Sequence, residues 1–395
     1  MTTTIHASGL SDRFQTMIDR ALAGDPIPRE EACAILSDET PLYPLLHACG
    51  EIRRATFGNR VQVHVLNNVQ NGACPEDCGY CGQAKTSDAP IQAYKLKSRE
   101  EIIEEAAQAK ASGAFRYCMV LSGRGPSDGD IDHMAECIRE VKARFGLETC
   151  LSSGLLDEEK AKRLRAAGLD RLNHNLNTSR THYPEICTTH TYQDRVDTLN
   201  AARSQGLQLC SGVIVGMDES ADDLVELAYE LNGLAAESIP VNFLVPIPGN
   251  RVARPRSFAG ALTPHHCLRV LCLFRLTNPK SEVRIAAGRE HHLRTMQTLA
   301  LEPANSLFVD GYLLTQGDGP LGTLRMIRDA GYDIDLHGAE WPERLRRAVD
   351  HDAFTSDDAL DEHANIIKPD RLSERKLAKL RVRVDSQLNG NHERQ

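Results

Sequence analysis

No stretch of the chain approaches the roughly 18 consecutive apolar residues that a membrane-spanning helix requires. The N-terminus, MTTTIHASGLSDRFQTMIDRALAGDPIPREE, lacks the apolar block and cleavage pattern of a signal peptide, and its acidic residues argue against a transit peptide. A soluble, cytoplasmic protein with no membrane partner is expected. Positive charge is also in short supply, because 46 Lys and Arg against 55 Asp and Glu leave a net −9. Neither a nucleic-acid backbone nor an anionic membrane is therefore an expected partner. The basic run RLSERKLAKLRVRV near the C-terminus reads as a solvated helix or tail. Histidine, finally, is missing where cysteine is densest: NGACPEDCGYCGQAK, residues 71–85, holds Cys74, Cys78 and Cys81 with no imidazole beside them.

Cysteine itself is plentiful. In a reducing compartment the twelve cysteines are expected as free thiols, metal ligands or reactive groups rather than disulfides. From about residue 60 to 335 the chain alternates short β-rich runs with helical patterns. Strands are predicted at 61–69, 116–122, 148–154, 171–178, 208–216, 238–247, 282–288 and 306–314. Between them, Ser98 with Glu101 forms a capping-box pattern, and Ile131, Met134, Ile138, Val141 and Phe145 make one apolar helical face. Further helices are predicted at 157–167 and 192–205, and one opens with Thr263 and Pro264. This rhythm matches an α/β fold of the (β/α)8 TIM type, with a doubly wound sheet as the alternative. Residues 1–59 read as an N-terminal helical segment placed to plug the barrel bottom, residues 60–335 as the barrel, and 336–395 as a partly disordered C-terminal extension.

The three-cysteine loop follows the first strand, which places it on the barrel face where catalytic loops gather. A structural zinc site needs four ligands. A cubane iron–sulfur cluster held by three cysteines leaves one iron free to accept a small molecule. A zinc site completed from a distance and plain core cysteines are the alternatives. C-x3-C-x2-C with Tyr80 before the last cysteine resembles the signature of the radical S-adenosylmethionine (SAM) superfamily. The resemblance implies that Cys74, Cys78 and Cys81 hold a [4Fe-4S] cluster that cleaves SAM, with Tyr80 packed near the adenine.

Three more cysteines lie on predicted strands, Cys118 in RYCMV, Cys150 in ETCLSSG and Cys210 in QLCSGVIVG. Strand alternation can turn all three into the lumen, and Arg289 in AAGRE, past the seventh strand, could join them. Each alone also reads as a small buried hydrophobe. The words GACPEDCGYC, RYCM, NHNLNTS, TYQDRVDTL, CSGVIVG, IPVNFLV and AAGRE occur in the order found in the biotin synthase family, and this similarity covers roughly residues 28–335. It implies a [2Fe-2S] cluster on Cys118, Cys150, Cys210 and Arg289, conversion of dethiobiotin to biotin by sulfur insertion, a one-electron donor such as flavodoxin or ferredoxin, iron–sulfur assembly proteins as partners, and a homodimer. A related barrel radical enzyme is the rival among enzymes, and an iron–sulfur scaffold or zinc module the rival outside them.

Asn173, Asn175 and Asn177 alternate in NHNLNTS, so as strand residues they share a face. By resemblance Asn173, Asn175, Asn242 and Arg289 face the substrate, while Asn175, Asn177, Gly212 and Ile214 serve SAM. Position 177 departs from the aspartate of many family members. GVIVG is equally compatible with a core strand whose glycines allow close approach. Cys33, Cys49, Cys137, Cys187, Cys267 and Cys272 read as structural, and the His265–His266 and His291–His292 pairs as non-ligands, since helical neighbours do not share a face.

Overall fold

Ser98, Ser127, Thr191 and Ser220 each open a helix in the same way. The side-chain oxygen accepts the N–H three residues on, and the carboxylate there accepts the capping residue's own N–H. These reciprocal caps start α4 (Arg99–Ala111), α5 (Asp128–Phe145), α8 (Tyr192–Ser204) and α9 (Ala221–Gly233), four helices of the barrel's outer ring. Asp157 caps α6 (Glu158–Ala166), and Thr263 caps α10 (Pro264–Thr277), whose first-turn proline has no N–H to satisfy. A one-turn α7 (Tyr183–Ile186), α11 (Arg289–Leu293) and α12 (Pro320–Asp329) complete the set after the N-terminal α1 (Ala7–Ala23), α2 (Arg29–Ile35) and α3 (Leu42–Phe57).

The computed structural model describes residues 7–252, 262–309, 313, 319–338, 340, 346 and 349. The chain divides into two compact units, residues 1–345 and 346–395, and the barrel belongs to the first. Its strands are β1 (Arg60–Asn68), β2 (Arg116–Val120), β3 (Glu148–Ser152), β4 (Arg171–Asn173), β5 (Gln208–Cys210), β6 (Val213–Val215), β7 (Ser238–Phe243), β8 (Glu282–Ile285), β9 (Ser306–Val309) and β10 (Asp333–Asp335). All pair in parallel, and β9 returns to β1 to close the barrel. Strands covered on both faces are buried throughout, as in β7, β8 and β9.

Two strand features depart from expectation. The fifth stave, expected as one run over 208–216, is two pieces: β5 joins β4 to the start of β7, and β6 pairs further along β7. The added β10 pairs with the first residues of β1, outside the closed barrel. The N-terminal helices pack on α9 and α10. From α3, Arg53 reaches the carbonyls of Arg60 (2.7 Å) and Ala304 (3.3 Å), at the N-terminal ends of β1 and β9. The expected C-terminal extension and its basic run lie almost wholly outside the described residues. Among the described residues no helix is long and apolar enough to cross a membrane.

The break in the fifth stave is a matter of space. A Cβ at Gly212 would stand 1.9 Å from the Pro240 carbonyl oxygen of β7, so only glycine lets the two backbones approach. Ser211 Oγ accepts from Leu176 N–H at 3.1 Å, and Gly212 N–H donates to Asn175 Oδ1 at 3.1 Å, tying the break to the segment after β4. Gly212→Ala is expected to lower stability by about 1–3 kcal/mol through overpacking, measured by denaturant unfolding. A variant as stable as the parent would show that β7 yields freely.

Candidate active site

The loop after β1 carries three cysteines and is held from both sides. Within it Cys81 N–H bonds Cys78 O at 3.0 Å and Lys85 N–H bonds Glu76 O at 2.9 Å. From outside, Thr188 and Thr189 N–H donate to Asp77 Oδ1 at 2.9 and 3.2 Å, and Thr189 Oγ1 donates to Glu76 Oε2 at 2.6 Å. Gly79 N–H reaches Ile186 O at 2.8 Å. The loop is thus braced by the segment between α7 and α8, more than a hundred residues away in sequence. Cys74 and Cys81 line the central cavity with Tyr80, whose hydroxyl accepts from Asn177 Nδ2 at 2.7 Å. Cys78 is buried behind them, with its Sγ 3.8 Å from that of Cys187. The thiol–thiol hydrogen bond pushes Cys78 up and Cys187 down from the ordinary thiol value. Cys187, read from sequence as merely structural, therefore belongs to this neighbourhood.

Deeper in the lumen, Cys118 and Cys150 are direct partners across β2 and β3. The Cys150 thiol is hydrogen-bonded to both Cys118 and Cys210. Those bonds spread their acidities: Cys118 is lowered by the Cys150 bond and by Arg284 and Arg116, whereas Cys150 is pushed up to about 12 by the Cys118 bond. Cys210 is raised by its bond to Cys150 and by burial. The surrounding wall is apolar, made by Ala286, Phe308 and Leu66.

The arginine beside these thiols is Arg284, and here the sequence expectation is corrected. Arg284 Nη1 stands 3.7 Å from Cys210 Sγ, its Nη2 donates to Ser238 Oγ at 2.8 Å, and the guanidinium is bound to Glu282. Arg289 lies outside the barrel strands, in α11, where its guanidinium meets Gln297, Glu290 (2.6 Å) and Thr323 (3.3 Å), and it does not line the cavity. The reason is strand period. Glu282, Arg284 and Ala286 alternate along β8 and its end, while a residue past the strand passes into the next helix.

Between the two thiol groups lies a cavity of about 270 Å³ lined by Asn173, Asn175, Asn177, Ile214 and Asn242. Asn173 Nδ2 donates toward Cys210 Sγ at 3.2 Å and Asn175 Oδ1 at 3.2 Å. Asn242 is fixed by β6 and the segment after β8, donating to Val213 O at 2.9 Å and accepting from Ala287 N–H at 3.2 Å. The expected alternation holds only in part, since β4 ends at Asn173. Asn177 adopts φ +72°, a left-handed conformation that asparagine tolerates better than most residues. Gly212 does not line the cavity, and its role in the structure is the close strand approach. Sequence reasoning missed Arg195 and His174, both buried and lining the cavity. Arg195 is anchored on Tyr183 and on Asn175 O at 2.6 Å.

The donor sets suit iron–sulfur groups. Among the described residues the three loop thiols do not all come within 4.8 Å of one another, and three thiolates on one short loop are the ligand number a cubane cluster with one open iron takes. The strand thiols sit in a largely apolar lumen with Arg284, Asn173 and His64 as polar neighbours, and the guanidinium supplies the compensating charge that the thiolates of a sulfide cluster need.

A closed parallel barrel with such a loop at the carboxyl ends of its strands defines a radical SAM enzyme. The model of the Radical SAM superfamily matches residues 70–231, and that of the Biotin and Thiamin Synthesis associated domain matches residues 240–333. The chain is 54% identical to the biotin synthase of Acaryochloris marina over 79% of its length and 90% of that relative. It is 51% identical to that of Magnetococcus marinus over 81% of its length and 98% of that relative. The chain belongs to the biotin synthase family, whose cofactors are SAM and iron–sulfur clusters. Among solved structures, a methylornithine synthase superposes with a TM-score of 0.70 at 20% identity, covering 81% of this chain and 97% of that one, a likeness of fold.

Arg284 and Arg289 can be told apart. Arg284→Met is expected to change the visible absorption of the chain reconstituted with iron and sulfide. Arg289→Met should leave that spectrum alone while costing about 2–3 kcal/mol of stability through its lost charged hydrogen bonds. A spectral change in the second variant and none in the first would restore Arg289 to the site.

Proposed function

We propose that this chain inserts sulfur into dethiobiotin to form biotin, taking electrons from a one-electron donor such as flavodoxin or ferredoxin. The observation that carries this reading is a single cavity with Cys74, Tyr80 and Cys81 at its mouth and Cys118, Cys150 and Arg284 at its floor. A substrate held between the two can react with each in turn. The saturated C–H bonds of dethiobiotin are too strong for acid–base removal, so the chemistry falls to cofactors. The loop thiols would hold a [4Fe-4S] cluster able to supply the electron for SAM cleavage, and the strand thiols a [2Fe-2S] cluster able to supply sulfur.

The chain's own residues hold and orient. Cys74, Cys78 and Cys81 would hold the first cluster, and Cys118, Cys150, Cys210 and Arg284 the second, with Arg284 in the place expected for Arg289. The buried Arg195 charge offers a partner to the methionine carboxylate of SAM, a charge-assisted pairing favoured away from water. Tyr80, Asn177 and Ile214 flank its nucleoside end. Asn173, Asn175 and Asn242, whose amides both donate and accept, match the ureido ring of dethiobiotin. Leu66 and Phe308 line the cavity with hydrocarbon, keeping water from a reactive intermediate. Residues 60–335 form the catalytic barrel in this reading, with 1–59 as a helical layer and 336–395 as an extension. Twelve free thiols suit the reducing cytoplasm. Family resemblance adds a homodimer served by iron–sulfur assembly proteins.

In an anaerobic single turnover with reductant, SAM and dethiobiotin, biotin is expected to appear as the two-iron absorption fades. Deoxyadenosine without biotin would keep the radical chemistry and discard the substrate. Cys78→Ala should abolish SAM cleavage, and radical production surviving in it would remove that loop from the first cluster. Cys150→Ala should retain some SAM cleavage yet form no biotin. Undiminished biotin from this variant would take the strand cysteines out of the mechanism.

A further inference from the structure

Behind the cysteine loop lies a second donor set that shares Cys78 with the first cluster and adds Cys187 and His190, which the proposed reaction does not use. Cys187 Sγ stands 3.8 Å from Cys78 Sγ and 3.3 Å from His190 Nδ1, and the three residues are buried. One atom from each lies within 4.8 Å of the others, the only such trio among the described residues. The spacing is informative, because two sulfurs bound to one tetrahedral zinc at about 2.3 Å each are separated by about 3.8 Å. Asp77 Oδ1, 3.4 Å from Cys187 Sγ, is in reach of a fourth position.

From this geometry we infer that Cys78, Cys187 and His190 form a mononuclear site for a thiophilic divalent cation, Fe²⁺ or Zn²⁺, in the chain before the loop receives its cluster. Ligation through His190 Nδ1 moves the ring proton to Nε2, where the Tyr183 hydroxyl at 2.8 Å accepts it. Such a partner on the far nitrogen is what orients ligating histidines. Arg195 Nη2, which donates to Nε2 at 2.9 Å in the metal-free chain, has to turn away once Nε2 carries the proton, and it keeps its bonds to Tyr183 and the Asn175 carbonyl. Glu76, displaced from Nδ1, retains Thr189 at 2.6 Å and Arg124 at 3.2 Å. Cys78 cannot serve a lone ion and the four-iron cluster together, so the two occupancies exclude each other. Iron held here is positioned for cluster assembly, and zinc held here blocks it.

Co²⁺ is the probe, added to the full chain stripped of clusters under reductant, with neither SAM nor dethiobiotin present. Failure of this test therefore leaves the proposed reaction untouched. The parent is expected to show thiolate-to-cobalt charge-transfer absorption with the intense d–d bands of a tetrahedral ion. Cys187→Ser and His190→Asn should each weaken the binding that gives this signal at least tenfold, with circular dichroism unchanged. Cys74→Ser should retain it, since Cys74 is outside the trio. Absence of the band in the parent, its persistence in Cys187→Ser, or its loss in Cys74→Ser would each overturn the site, the last two assigning the metal to the loop cysteines instead. Preloaded Zn²⁺ should slow four-iron reconstitution of the parent and spare Cys187→Ser, and equal slowing of both would also overturn it.

Discussion

One buried carboxylate organises the floor of this barrel. Glu282 accepts from Arg284, from Arg171, from Arg116 at 3.1 Å and from Ser306 Oγ at 2.7 Å, and His64 Nε2 stands 3.2 Å away. Burial alone would raise its pKa, but Arg284, Arg171 and His64 hold it well below the usual carboxylate range. Three guanidinium groups converge on this carboxylate, and Arg116 alone of them also reaches a second, Glu148, at 3.5 Å. The excess positive charge is felt by the thiols above, where Arg284 and Arg116 help lower Cys118. A group of this kind is costly to desolvate and gives weak evidence for stability. Its value here is geometric, for the Glu282 bonds on one side of Arg284 and Ser238 on the other aim the guanidinium at Cys210.

The mouth of the barrel is built on another plan. Its cysteines stand on a loop, and the loop takes its shape from Glu76 and Asp77, which accept from the segment between α7 and α8. Deep thiols are thus positioned by strand register and shallow ones by a polar clasp. Register is rigid, which suits a site where three strands must present donors at one depth. A clasp can be unmade and remade, which suits a site that must be loaded through the open face of the barrel.

Much of this was legible in the residue order. Strand and helix patterns alternate because parallel strands buried on both faces must be apolar and their covering helices must be capped. The loop cysteines carried their meaning in spacing, and the strand cysteines carried theirs in falling on separate strands. What escaped reading depended on distance in space. Arg284 and Arg289 both lie in one short word, VRIAAGRE, and only the end of β8 decides which reaches the lumen. Two charged residues at 282 and 284, on a strand buried on both faces, were the available signal. Cys187 carried only the short C-x2-H spacing to His190, and nothing in the residue order tied it to Cys78, 109 positions earlier. The break at Gly212 was hidden as well, since a glycine in a strand announces close approach without naming the neighbour.

If one cavity brings substrate between a radical source and a sulfur source held on the strand thiols, the new sulfur in biotin must come from those strands. The most direct test is to rebuild the second cluster with isotopically heavy sulfide, run one turnover on dethiobiotin and weigh the biotin formed. The heavy isotope is expected in the new ring. Biotin carrying ordinary sulfur, formed while the strand site keeps its label, would contradict it.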